Sequence, residues 1–247
     1  MDFMDKQMKN KRRSRFRKRR WKRRLIKSLL VAICALIFFV TVGMTALLLE
    51  RLFDFNVVDI IKDKCGTSVD VVIDPGHGDL DPGANIGTVY EKDITLDIAL
   101  KTGELLKGAG YTVHLTREDD SFLDLEERAE IANKKRAKVF VSIHCNSSED
   151  GSGQGIETFY TDQKSESDGI LAEILQLNLI EYTRAEDRLA KTANYTVLVR
   201  TDMPAALIEV GFLTNKTERE LLITDEYQNK IANGISSAID AYFNESE

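Results

Sequence analysis

The sequence predicts an α/β domain, with helices on both faces of its sheet, that follows one transmembrane helix. After Val69, short runs rich in β-branched residues alternate with amphipathic stretches, which is the pattern of strands that alternate with helices. Two of these runs, VVI at 71–73 and VFV at 139–141, are continuously apolar, as in strands covered on both faces. Nearer the N-terminus, the 22 residues from Ser28 to Leu49 carry no formal charge.

The N-terminal region predicts a membrane anchor. A helix of 22 residues is about 33 Å long, which is enough to cross a hydrocarbon core of about 30 Å. Residues 1–28 contain 14 Lys and Arg against 2 Asp and Glu, whereas the rest of the chain contains 20 against 38. Because Lys and Arg resist translocation, we expect a cytoplasmic tail at 1–28, a transmembrane helix at 29–49 and an extracytoplasmic stalk at 50–68. The acidic domain at 69–247 would then face the outside of the cytoplasmic membrane.

Two alternatives for this region are less favoured. A cleavable signal peptide also begins with basic residues, but its apolar region is usually about 7 to 15 residues long and ends at a small-residue cleavage site. Here the apolar region is longer and continues into LLLERLFDFN. An Arg-rich segment can also bind nucleic acid through phosphate contacts. Because the basic block adjoins an apolar span, we expect it to set membrane orientation, and we expect no nucleic-acid partner.

The strands and helices of the domain can be placed in order. The strand candidates are apolar runs of suitable length, at 69–74, 111–116, 138–144, 155–160, 195–200 and 205–210. The helix candidates are amphipathic stretches, at 92–110, 123–137, 166–183 and 226–243. In the first of these helices, Ile94, Ile98 and Leu105 are predicted to share one apolar face.

Polar side chains lie where several predicted strands end. His77 follows the first strand, His144 ends the third, and Glu209 lies in the sixth. Glu91 begins the first helix and faces the same edge. In open α/β sheets the functional site gathers at the carboxyl ends of the strands. We therefore expect these four residues to share one site.

The residue types at this edge are those of a catalytic zinc site. Such sites commonly use two histidines and one carboxylate, a set that His77, His144 and Glu91 supply, and keep one position for water. Zinc lowers the pKa of bound water to about 7, and Glu209 is then free to act as general acid and base. The residues alone leave structural roles open, since a lone histidine often only forms hydrogen bonds and Glu91 would also suit a helix N-terminus. His114 has no acidic neighbours and is predicted to be structural.

The three cysteines form no pattern of a disulfide framework. Cys34 lies in the predicted span, Cys65 in the stalk and Cys145 in the domain. A bridge between Cys65 and Cys145 stays open for a domain outside the cell. Because side chains alternate along a strand, the thiol of Cys145 should point away from His144, and we expect Cys145 to be a core residue.

Five motifs resemble one family of cell-wall enzymes. They are, in order, VVIDPGHGDLDPGA, YEKDITLDIALKTGELLKGAGYTVHLTREDD, VFVSIHCN, GIETFY and PAALIEVGFLTN. In this order they closely resemble the zinc-dependent N-acetylmuramoyl-L-alanine amidases of bacteria, the catalytic family called amidase type 3. The resemblance runs from about Val69 to Phe243.

The resemblance implies a fold, a cofactor and a reaction. The fold is a single α/β domain with a mostly parallel sheet of about six strands. The zinc ligands would be His77, Glu91 and His144, with Glu209 as the catalytic acid and base. The reaction would be hydrolysis of the amide between N-acetylmuramic acid and L-alanine in peptidoglycan, and an external regulatory protein stays an open partner. The alternatives are another zinc hydrolase of peptidoglycan, such as a peptidase or deacetylase, and an inactive wall-binding scaffold.

Overall fold

The computed structural model describes residues 33, 36–45 and 68–245. The chain divides into two compact units, residues 1–65 and residues 66–247. In the first unit, residues 36–45 are helical, and their apolar side chains are exposed. Among the described residues, no helix has the length and apolar character needed to span a membrane.

The predicted N-terminal elements lie mostly outside the described residues. This applies to the basic tail at 1–28, to about half of the predicted transmembrane helix at 29–49, and to the stalk up to residue 67. The anchor therefore stays a prediction from sequence.

The second unit is built on a six-stranded sheet in the order β4-β1-β5-β8-β6-β7. The first four strands in this order are parallel, β6 is antiparallel to β8, and β7 is parallel to β6. The sheet is therefore mostly parallel, as predicted. A short antiparallel pair, β2 and β3, lies apart from it. The strands are β1 (Val71–Pro75), β2 (Asn85–Ile86), β3 (Val89–Tyr90), β4 (Val113–Leu115), β5 (Val139–Asn146), β6 (Ile156–Tyr160), β7 (Asp187–Thr192) and β8 (Ala205–Phe212).

Six helices of this unit connect and cover the strands, and the four predicted helices are among them. In α2 the carboxylate of Asp124 accepts a hydrogen bond from the Glu127 backbone, and the Glu127 side chain accepts one from the Asp124 backbone. This capping box explains why the helix begins there. The helices are α1 (Glu91–Gly108), α2 (Leu125–Lys134), α3 (Glu166–Thr183), α4 (Thr196–Arg200), α5 (Lys216–Leu222) and α6 (Asp225–Glu245).

The sheet is covered on both faces, because alternate residues of the central strands enter two different apolar clusters. Val139, Val141 and Ile143 pack in a cluster with residues of α1, α3 and α6. Phe140 lies in the other cluster, which includes residues of α2 and α4 such as Ala132. The continuous apolar runs of β1 and β5 are explained by this double burial.

Two sequence predictions were wrong. Residues 195–200 were predicted as a strand, but Thr196–Arg200 form helix α4. Burial of Val197 and Leu198 in the second cluster outweighs the β-propensity of this stretch. The sixth strand is instead β7, which lies at the sheet edge, is largely polar and has no apolar run to reveal it. In α1 the buried leucine is Leu106, whereas Leu105 is exposed.

Candidate metal centre and active site

His77 lies in the loop that follows β1, in a left-handed backbone conformation with φ of 62°. This conformation is uncommon for a residue with a side chain, so the surrounding structure must stabilise it. The loop runs through Gly76, where an added Cβ would overlap the imidazole ring of His144. The glycine therefore lets the His77 loop approach the end of β5 closely.

Two buried arginines hold the His77 loop by its carbonyl oxygens. Arg128 of α2 donates to the carbonyls of Pro75 at 2.7 Å and His77 at 2.8 Å. Arg117 donates to the carbonyls of Pro75 at 3.1 Å and Gly76 at 2.8 Å. Both arginines are about 97% buried, and a guanidinium has five donors in a fixed plane. They satisfy three successive carbonyls that the turn leaves without strand partners.

The charge of Arg128 is balanced by Asp74, which ends the apolar part of β1. Arg128 Nη1 lies 2.8 Å from Asp74 Oδ1, and both side chains are buried. Asp74 also accepts hydrogen bonds from Thr116 Oγ1 at 2.6 Å and Ser142 Oγ at 2.8 Å. A buried ion pair is tolerated when its remaining lone pairs are satisfied in this way. The DPGHG motif is thus anchored to α2, to β5 and to Thr116, which directly follows β4.

Glu91 is the first residue of α1, and its side chain is buried between the loops and β5. Its Oε2 accepts a hydrogen bond from the Ala84 backbone at 2.7 Å, and its Oε1 accepts one from the Cys145 backbone at 2.9 Å. Gly83 stands so close that an added Cβ would overlap Glu91 Oε2. The backbone therefore fixes both oxygens of this carboxylate.

The structure brings three of the four predicted site residues into one group. Glu91 Oε1 lies 3.1 Å from His77 Nε2 and 3.0 Å from His144 Nδ1. One ligand atom from each residue lies within 4.8 Å of the others. The two rings meet edge to face, with centroids 4.9 Å apart. His114 is in β4 and does not belong to this group.

The donor types and the two distances to Glu91 Oε1 suit a zinc ion. Zinc binds imidazole nitrogen and carboxylate oxygen at about 2.0 to 2.2 Å, so tetrahedral ligand atoms stand about 3.3 Å apart. The oxygen to nitrogen distances of 3.0 and 3.1 Å are close to that spacing. The donor set of two histidines and one carboxylate is also the set of many catalytic zinc sites.

The second nitrogen of His77 has a partner of its own. Asp81 Oδ2 lies 2.7 Å from His77 Nδ1. A carboxylate on the far nitrogen orients the ring and directs the lone pair of the other nitrogen toward a metal. Burial by itself would lower the pKa of His77, but Glu91 and Asp81 outweigh it and raise that pKa. Asp81 was not singled out from the sequence, although it lies inside the first motif.

Charges within the group also act on Glu91. Burial by itself would raise the pKa of Glu91, but hydrogen bonds and attraction from His144 and His77 hold it well below its usual range. Glu91 is therefore ionised at neutral pH, as a zinc ligand must be.

Glu209 lies on β8 directly beside His144, since the Cα atoms of the two residues are register partners in the parallel pair. Its Oε2 is buried and has no hydrogen-bond partner among the described residues. Burial, joined by the charges of Glu91 and Glu157, raises the pKa of Glu209 to about 7. An unsatisfied buried carboxylate is costly for stability and is most often found where function requires it.

Comparisons with known proteins identify the family of the chain. A family model described as N-acetylmuramoyl-L-alanine amidase matches residues 71–241. The chain belongs to this amidase family. The matched range includes His77, Glu91, His144 and Glu209.

Named relatives and solved structures extend the comparison. The chain is 34% identical over 192 residues to the germination-specific N-acetylmuramoyl-L-alanine amidase of Bacillus subtilis, covering 71% of this chain and 80% of the relative. It is similar to the crystal structure of an N-acetylmuramoyl-L-alanine amidase from Clostridium difficile, with 37% identity, a TM-score of 0.71, and coverage of 73% of this chain and all of the other. It also resembles the CwlD amidase of Clostridioides difficile, in complex with the GerS lipoprotein, with 34% identity, a TM-score of 0.68, and coverage of 72% and 100%.

Cys145 is a core residue, as predicted from the alternation of side chains along β5, which places His144 on the other face of the sheet. Its side chain is buried in the cluster under α1, and its thiol is free. The thiol is therefore not in a disulfide with Cys65. Burial, with the added repulsion of nearby carboxylates, raises the pKa of Cys145 well above its usual value.

Proposed function

We propose that this chain hydrolyses the amide between N-acetylmuramic acid and the L-alanine of the stem peptide, using a zinc ion and Glu209. Peptidoglycan amidase activity is supported by the family match and the named relatives. The observation that carries the finer proposal is the convergence of His77, Glu91 and His144 beside Glu209, whose buried Oε2 has no hydrogen-bond partner among the described residues.

The three converging residues are the proposed zinc ligands. Glu91 would bind through Oε1, His77 through Nε2 and His144 through Nδ1, since these are the atoms that face one another. When bound, zinc polarises a carbonyl and lowers the pKa of a coordinated water to about 7.

Glu209 is the proposed general acid and base. Its pKa of about 7 means that both of its protonation states are populated near neutral pH. The ionised carboxylate accepts a proton from the attacking water. The same carboxyl then donates this proton to the alanine nitrogen as the carbon to nitrogen bond breaks, so that the leaving amine departs neutral.

Asp81 and the two arginines are proposed to hold this arrangement in place. The hydrogen bond between Asp81 and Nδ1 keeps the His77 ring in one orientation. Arg117 and Arg128 fix the backbone on which that ring is mounted. A preorganised site needs no rearrangement during the reaction.

The proposed location is the outer face of the cytoplasmic membrane, where the substrate lies. The uncharged residues 29–49 are proposed as a single-pass anchor, with the basic residues 1–28 in the cytoplasm. The complex of the CwlD amidase with the GerS lipoprotein supports keeping an accessory protein among the proposed partners.

Two substitutions in the 69–247 fragment test the site. Glu209→Ala should keep one bound zinc per chain and lose most hydrolysis, whereas His77→Ala should lose both. Metal content is measured by elemental analysis and activity by release of peptide from purified peptidoglycan. A fully active His77→Ala protein would remove the metal assignment.

Mass analysis of digested peptidoglycan tests the reaction. The amidase should generate new L-alanine amino termini and glycan chains without peptides. Cuts inside the stem peptide, or released acetate, would instead indicate a peptidase or a deacetylase. A folded, zinc-loaded domain that binds the wall without cutting it would indicate a scaffold.

A fusion tests the location. A reporter placed after Glu247 that functions only outside the cytoplasm should be active, because the anchor model puts the C-terminus there. Activity of a reporter that works only in the cytoplasm would contradict the model.

A further inference from the structure

A buried carboxylate with two cationic partners lies beside the proposed catalytic site. Glu157 at the start of β6 is 5% exposed. Its Oε2 lies 2.5 Å from Lys191 Nζ and 3.2 Å from Arg188 Nε, and its Oε1 accepts a hydrogen bond from Asn146 Nδ2 at 2.5 Å. Arg188 and Lys191 belong to β7, and we call these two residues the β7 cations.

The β7 cations contact one end of a row of side chains that includes Glu209. Glu209 is the register partner of His144 on one side and of Glu157 on the other, so the three side chains form a row on one face of the sheet. Neighbouring strands lie about 4.8 Å apart. The row therefore extends about 10 Å from His144 to Glu157, where the two cations approach.

Among the described residues, Glu157 is the carboxylate that forms direct ion pairs with both β7 cations. The charges of Glu218 and Arg188 also act on each other. The side chains of Arg188 and Lys191 are 34% and 41% exposed, so both are open to a ligand from solvent. The guanidinium of Arg188 also lies over the ring of Phe212, 5.0 Å from its centroid, which restricts its movement.

The chemistry of the substrate says which group such cations would bind. On the glycan side, the lactyl carboxyl of N-acetylmuramic acid is already consumed in the scissile amide. Free carboxylates therefore belong to the peptide side, where the residue after L-alanine has one unless it is amidated. An extended peptide advances about 3.5 Å per residue, so this carboxylate lies about 5 to 8 Å from the scissile bond. One strand spacing of about 4.8 Å separates Glu209 from Glu157, so a carboxylate 5 to 8 Å from a scissile bond at Glu209 would come close to the β7 cations.

We propose that Arg188 and Lys191 form a subsite that binds the free carboxylate of the second stem-peptide residue and favours non-amidated peptidoglycan. This inference rests on the proposed amidase function and adds a preference among its substrates. Arginine binds carboxylates through paired hydrogen bonds, and the lysine supplies a second charge. Glu157 holds both cations in place in the free enzyme.

The test uses two soluble glycan tetrasaccharides with stem peptides that differ only at one group. In one the carboxyl of the second residue is free, and in the other it is amidated. The zinc-loaded domain and its Arg188→Met and Lys191→Met variants are compared by the ratio of kcat/KM for the two substrates. Each single substitution leaves Glu157 paired with one cation. The ratio of the two kcat/KM values does not depend on the fraction of folded protein, because the same active molecules cleave both substrates.

The wild-type domain should prefer the free carboxylate by about five- to tenfold, the size of one partly exposed charged contact. Each variant should bring this ratio to about two or less. Lys230→Met is the matched control, since Lys230 is paired with Glu226 on the remote surface of α6, and it should keep the wild-type ratio.

The outcomes separate this inference from the function on which it rests. Equal cleavage of both substrates by the wild type, or an unchanged ratio in both variants, would overturn the subsite and leave the amidase proposal intact. If the wild type cleaves neither these substrates nor whole peptidoglycan, the proposed function fails and the subsite fails with it.

Discussion

Glu209→Gln should stabilise the metal-free domain at alkaline pH while abolishing hydrolysis. Glu209 is partly buried near other carboxylates, and its buried Oε2 has no hydrogen-bond partner among the described residues. Burying an ionised carboxylate costs free energy, and glutamine of similar size is never ionised. The substitution removes that cost together with the proposed acid and base.

The magnitude follows from the pKa of Glu209, which the fold raises from 4.5 to about 7. Below about pH 4.5 the carboxyl is protonated in both folded and unfolded chains, so the substitution has no ionisation effect. As the pH rises from 4.5 to 7, the unfolded chain loses its proton first and the wild-type fold is progressively destabilised. The difference of 2.5 pKa units corresponds to about 3 kcal/mol, which is fully present above pH 7.

Urea unfolding of the 69–247 fragment with chelator present, at pH 4 and pH 8, measures this effect. The free energy of unfolding of Glu209→Gln relative to wild type should rise by about 3 kcal/mol between the two pH values. Glu173→Gln, at an exposed position of α3, is the control and should show little change. An offset for Glu209→Gln that is the same at both pH values would refute the argument, because packing rather than ionisation would then explain it.

Three further predictions concern other parts of the domain. Arg128→Met should destabilise the fold by about 3 to 5 kcal/mol in urea unfolding, because it leaves the buried Asp74 carboxylate unpaired, and adding Asp74→Asn should recover part of the loss. Gly83→Ala should weaken zinc binding about 10- to 100-fold in a chelator competition, since the new Cβ overlaps Glu91 Oε2 at a φ of 65°, and unchanged affinity would contradict this. Cys145 should resist iodoacetamide in the native 69–247 fragment and react after denaturation, as followed by mass spectrometry, because burial raises its pKa.

Much of the fold was predictable because the apolar pattern of the buried strands is strong. β1, β5 and β8 lie in the sheet centre and have continuous apolar runs. β7 was missed because an edge strand needs little apolar surface. α4 was mistaken for a strand because Thr196, Val197 and Val199 are β-branched. Tertiary packing decided both cases.

Strand ends and sequence motifs mark the four residues proposed for the site, and the structure brings three of them together beside the fourth. Their supporting residues were not predictable from the sequence, since each acts through the fold. Arg128 reaches the His77 loop from α2, and Asp81 contacts His77 only because the loop turns back on itself. The sequence alone gives one indication of Glu157, because this acidic residue interrupts the predicted strand GIETFY.

The reversed direction of β6 has a consequence for engineering. Because β6 is antiparallel to β8, whereas β5 is parallel to it, β5 ends and β6 begins at the same edge of the sheet. Residues 147–155, which join them, have no regular secondary structure and stay at the rim of the site. Doubling the length of a flexible loop costs only about 0.6 kcal/mol. Insertions there would reshape the entrance for a bulky polymer while leaving the core and the row formed by His144, Glu209 and Glu157 unchanged.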